Sequence, residues 1–139
     1  MAESIAHIES VRIGIDYIKK LIPLDLHCLI QSDLPENKFK PERTIDNFVP
    51  DIRFDASAIK IIGEAKTYED CMRKHSLDQY DSYLNECHLF SGTSHLVVVT
   101  SMFAFPGVVN YFKRKKKELG SSTNIHIIDS TFPGHMRIL

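Results

Sequence analysis

The run His95-Leu96-Val97-Val98-Val99-Thr100 constrains this chain more than any other stretch. It is short, continuously apolar and rich in β-branched side chains, so it reads as a strand covered on both faces. Such a strand sits in the middle of a sheet with helices on either side. Helical patterns flank it in the sequence. Leu77, Tyr80, Leu84 and Cys87 form one stripe over residues 76–89, which Ser91-Gly92 stops. Val109, Phe112 and Leu119 face inward from a second helix over 106–119, with Pro106 near its start and Gly120 after its end. Residues 124–129 then read as a strand. A β-α-β passage of this kind demands parallel strands joined by a right-handed crossover.

Upstream, Ile5, Ile8, Val11, Ile15, Ile18 and Ile22 recur at three- and four-residue intervals, which predicts an amphipathic helix over 3–22, ended by Pro23. Leu24, Leu26, Cys28 and Ile30 alternate with polar residues and predict a strand. Residues 32–46 are polar with two prolines and read as a long loop, a place where function often resides. Alternation resumes at 48–55, turns at Ala56-Ser57-Ala58, and continues at 59–66. The tail 130–139 shows no clear element. The order α-β-β-β-α-β-α-β describes one α/β domain spanning 1–139, a mixed sheet flanked by helices.

Composition places few limits beyond that. A hydrophobic fraction of 43% and a charged fraction of 25% are ordinary for a globular protein. No apolar run approaches the ~18 residues of a membrane span, and the N-terminal region shows no secretion signal. The three cysteines, Cys28, Cys71 and Cys87, are odd in number and far apart, which fits reduced thiols in a cytoplasmic setting. Cys71, His75, Cys87 and His88 lack zinc-ligand spacing, and Cys87 falls on the apolar stripe. A net charge of -1 argues against a protein that coats nucleic acid indiscriminately. Basic residues are nevertheless concentrated locally, in the run Lys113–Lys117 and in the loop with Lys38, Lys40 and Arg43. The loop cations precede Asp51 and are placed to contact a substrate.

The chemistry-bearing residues are Val49-Pro50-Asp51 and Gly63-Glu64-Ala65-Lys66. Glu64 and Lys66 are two apart on a strand, so they share a face. Asp51 lies one hairpin away on a neighbouring strand, ~4.8 Å across, within reach of a common ion. Two carboxylates converging on a hard divalent cation, with an ammonium beside them, suit the cutting of a phosphodiester. Arg53 and Asp55 either pair with each other or line the same cleft. Gln79 and Tyr83 are four apart on the following helix and project together, and His75 sits one turn before Gln79.

Pro50-Asp51, Glu64-Ala65-Lys66 and the α-β-β-β-α-β order resemble the PD-(D/E)xK nuclease superfamily. Gln79-x-x-x-Tyr83, with Thr67 after Lys66, looks like its RecB-like and Holliday-junction-resolvase-like branches, although no Gly-x-x-Asp run precedes Asp51. The resemblance implies a restriction-endonuclease-like core extended by a further helix and strand. It implies that Asp51 and Glu64 bind Mg²⁺, with Mn²⁺ as substitute, and that the Ala65 carbonyl adds a ligand. Lys66 would assist the nucleophile, and Gln79 and Tyr83 would orient the site. A Glu on the first helix often reaches the metal in that superfamily, which points to Glu9 or, nearer the end, Glu3. DNA is then the expected partner, with Lys38, Lys40, Arg43 and His75 as contacts. A domain this small is expected to act as a homodimer or as a subunit of a larger complex. Two rival expectations stand beside this one: a nuclease-like fold kept for binding with little turnover, and an unrelated α/β domain.

Overall fold

In a computed structural model that describes residues 4–139, a six-stranded mixed sheet lies between α1 on one face and α2 and α3 on the other. The elements are α1 (Ile5–Lys19), β1 (Gln31–Ser32), β2 (Ile52–Asp55), β3 (Ile59–Ala65), α2 (Lys74–Leu89), β4 (Thr93–Thr100), α3 (Phe105–Leu119), β5 (Asn124–Asp129) and β6 (Met136–Ile138). Strand order across the sheet equals strand order along the chain. β1–β2, β2–β3 and β5–β6 are antiparallel, whereas β3–β4 and β4–β5 are parallel. No helix among the described residues is long and apolar enough to cross a membrane.

β4 is buried on both faces, as its composition requires. Val97 and Val99 pack towards α1 with Val11, Ile18, Ile61 and Ile128. Leu96 and Val98 pack towards α2 and α3 with Ile62, Tyr80, Leu84 and Phe112. Two separate apolar layers therefore clamp one strand, which is what fixes its register. The Ser4 side chain caps α1 by accepting from the His7 N–H at 3.1 Å. Gly14 lets that helix ride close to the sheet, since a Cβ there would come within 2.9 Å of Ile52 Cδ1.

Gly92 is more tightly constrained. The Thr93 N–H donates to the Ala58 carbonyl at 2.9 Å, joining the β2–β3 turn to the start of β4. A Cβ on Gly92 would lie 2.4 Å from that same carbonyl oxygen. The obstacle is backbone, so no rotamer change relieves it. Gly92→Ala is expected to cost about 2–3 kcal/mol, read as a lowered urea midpoint. An unchanged midpoint would show that the turn yields.

Three expectations need correction. Residues 24–30 are not a strand: Leu24–Leu29 form a 3₁₀ segment, and the first strand is only Gln31–Ser32. Leu24, 81% exposed, contributes nothing to a core. Instead the His27 ring bonds the Lys19 and Ile22 carbonyls at 2.8 and 3.3 Å, meeting acceptors that the end of α1 leaves open. Capping the helix thus overrides the apparent alternation. The tail does contain an element, since β6 adds to the edge beside β5 through bonds between Ile125 and Leu139 and between Asp129 and His135. Leu119 is exposed, not inward, because it lies in the last turn of α3, just before Gly120 leaves the helix with φ 62°.

Candidate active site

The β2–β3 hairpin brings the acids together through its register. Ile52 pairs with Gly63, so Asp51 and Glu64 stand opposite one another at one end of the sheet. Asp51 donates its N–H to Glu64 Oε1 at 3.1 Å, and its own Oδ2 accepts from the Ala65 N–H at 2.8 Å. The Asp51 amide therefore holds the Glu64 side chain, and the Ala65 amide holds that of Asp51. Glu64 Oε2 lies 3.1 Å from Lys66 Nζ. Lys66 Nζ also donates to Gln79 Oε1, across from α2. Tyr83, one turn along α2, donates its hydroxyl to the Val49 carbonyl at 3.2 Å and so pins the segment that delivers Asp51.

Burial sets the electrostatics. Glu64 is only 3% exposed, and desolvation followed by the charge on Asp51 pushes its pKa well above the usual carboxylate range. The ammonium of Lys66 opposes that rise. Burial, with the charges of Glu64 and Asp51, also raises the Tyr83 pKa, so its hydroxyl stays neutral and acts as a donor.

A further part of the site comes from α1 and the loop after β1. His7 Nε2 lies 3.5 Å from Asp51 Oδ1 and 3.8 Å from Asp33 Oδ2. The ligand atoms of His7, Asp33 and Asp51 all lie within 4.8 Å of one another, a spacing suited to one metal ion. The Asp33 N–H donates to the Asp51 carbonyl at 3.1 Å, continuing the β1–β2 register. Burial and the charge of Asp51 raise the Asp33 pKa. Burial thus favours the protonated form of both Asp33 and Glu64.

Sequence reasoning missed His7 and Asp33. His7 was within reach: it shares a helical stripe with Val11, Gly14 and Ile18, the buried face of α1. Glu9 lies two positions away, just over half a turn past His7, and is exposed, so the first-helix position near Asp51 belongs to His7. Glu3 lies outside the described residues. Asp33 stayed hidden because its register opposite Asp51 depends on where β1 falls, and the alternation at 24–30 placed that strand too early. Ala65 takes part through its N–H, which fixes Asp51.

The expected DNA contacts are not drawn into this group. Lys40 Nζ donates to the Leu34 carbonyl at 2.7 Å and an Arg43 guanidinium N–H to the Asn47 carbonyl at 3.1 Å, both bracing their own loop. Lys38 is exposed in that loop. His75 is exposed with its ring edge-on to Phe48, 5.8 Å between centroids. Arg53 and Asp55 do pair, at 2.6 Å, and Glu86 and Lys60 complete their network at the other end of the hairpin. Cys71 and Cys87 are buried, and Cys28 is exposed.

No family model matches the chain, and no curated protein or solved structure matches it.

Proposed function

We propose that this protein is a metal-dependent nuclease of the PD-(D/E)xK type that hydrolyses DNA phosphodiester bonds. The observation that carries the reading is the linked set Asp51–Glu64–Lys66–Gln79, joined by direct hydrogen bonds and ion pairs at one end of the sheet. The run α1, β1–β2–β3, α2, β4 has the element order of that superfamily's core, and α3, β5 and β6 extend it. Carboxylate oxygens from Asp51 and Asp33 with an imidazole nitrogen from His7 fit a divalent cation. The mixed donor set suits Mn²⁺ at least as well as Mg²⁺, which prefers oxygen alone.

A bound cation supplies acidified water and offsets charge on the phosphate. The protein's own groups do the rest. Asp51 is held in a ligating pose by the Ala65 amide. Lys66 donates towards the oxygen on which charge grows, and Gln79 aims that ammonium. Tyr83 keeps Val49-Pro50-Asp51 in place. Reduced thiols, including exposed Cys28, fit a cytoplasmic protein, and the small domain fits action as a homodimer or within a larger complex.

The test is nicking of supercoiled plasmid in Mn²⁺, Mg²⁺ and EDTA. Metal-dependent nicking that Asp51→Asn abolishes supports the reading. Nicking that is equal in both proteins would place the activity elsewhere. The depth of Glu64 favours the rival of a binding module with little turnover. DNA binding without nicking in either metal would select it.

A further inference from the structure

Because β3, β4 and β5 run parallel, the segments that leave them gather at the end of the sheet that carries Glu64 and Lys66. The Lys66 N–H donates to the Val99 carbonyl at 3.0 Å, which ties the exits of β3 and β4 together. Two residues beyond Lys66 stands Tyr68, 61% exposed, and beyond β4 stands Phe103, 73% exposed. Their rings meet edge to face at 5.8 Å between centroids and border a hollow of about 490 Å³, with Met72, Arg73 and Glu69 around it. Large apolar side chains clustered in water call for an occupant.

The position of the cluster argues for what that occupant is. Across one end of the sheet the order is Asp33, Asp51 and Glu64, and Tyr68 and Phe103 lie in the segments that leave β3 and its neighbour β4 at that end. A nucleic-acid strand whose phosphate lies at the carboxylates meets the aromatic rings with its next nucleotides. Rings serve a strand only where bases are unpaired, since a duplex hides base faces in its own stack. Arg73, in an exposed ion pair with Asp70 at 3.6 Å, lies beside the rings.

We infer that Tyr68 and Phe103 form a stacking platform for unpaired nucleobases, and that the substrate is single-stranded DNA or an unpaired segment of a larger DNA. This rests on reading the neighbouring site as a DNA hydrolase. Stacking on aromatic side chains tolerates any base sequence, so the platform selects strandedness over sequence.

The chain contains no Trp, so Phe103→Trp introduces a unique fluorophore at the platform. Short oligo-dT is expected to quench its emission, and a blunt duplex is not. By fluorescence anisotropy, Tyr68→Ala and Phe103→Ala should each weaken oligo-dT binding about 10-fold, with thermal melting unchanged because both rings are exposed. Equal oligo-dT affinity in wild type and both Ala variants overturns the inference, as does tighter binding of the duplex. Altered sedimentation of the Ala variants with unaltered DNA binding assigns the rings to a protein contact and also overturns it. A wild-type protein that binds neither DNA form defeats the hydrolase reading as well. Nicking that persists in Phe103→Ala with the same strand preference removes the platform alone.

Discussion

Lys66→Ala is expected to lower metal-dependent nicking by about 10²–10³-fold, the cost of losing one donor aimed at developing charge in a sheltered site. The size follows from geometry. Lys66 is the cation in contact with Glu64, and its second contact, Gln79, is neutral. Gln79 can therefore orient the ammonium without replacing its charge. Gln79→Ala should accordingly cost less, since the ammonium remains but its direction is no longer fixed. Divalent-cation affinity, measured by titration calorimetry, should survive Lys66→Ala, because His7, Asp33 and Asp51 do not include the lysine. If Lys66→Ala nicks like wild type, Lys66 plays no chemical role. If it also loses the metal, the lysine is a structural support for the acids. Circular dichroism spectra of the variants guard against a simple folding defect.

Stability is expected to fall by about 3 kcal/mol between roughly pH 6.5 and pH 4 through a second group of residues, Tyr17, His126 and His95. His126 is buried on the α1 face of the sheet, with Nδ1 2.6 Å from the Tyr17 hydroxyl and Nε2 2.9 Å from His95 Nδ1. Burial, with His95 alongside, lowers its pKa from 6.5 to about 4. The unfolded chain thus takes up a proton in that window while the folded protein refuses it. Unfolding then binds protons, and stability is lost as pH falls. His95 is shifted in the same direction by burial and adds to the slope. Urea denaturation of wild type and His126→Gln at stepped pH isolates the effect, because surface carboxylates titrate equally in both. Parallel curves for the two proteins would mean that His126 protonates without penalty.

The sequence and the structure agree where a pattern is long and its residues have one role. The β-branched run at 95–100 has no alternative to a central strand, and the Gly63–Lys66 segment keeps its alternation to the exit of β3. Asp51, Glu64, Lys66 and Gln79 meet because register and helical spacing are local consequences of strand and helix geometry. Disagreement appears where one residue serves two elements. His27 reads as a polar strand position, yet it caps α1. Asp33 reads as loop polarity, yet it continues the ladder beside Asp51. Hydrogen bonds between elements decide these, and hydrophobic periodicity does not encode them.

A sheet whose strands lie side by side in the order they are connected can be laid down from one border to the other. No late strand has to invade between partners already joined. Everything from His7 to Tyr83 precedes the last three strands, so the reactive corner can assemble as the chain emerges, before the far wall is built. The outermost strands, of two and three residues, then leave little free ladder on which a neighbouring molecule could grow.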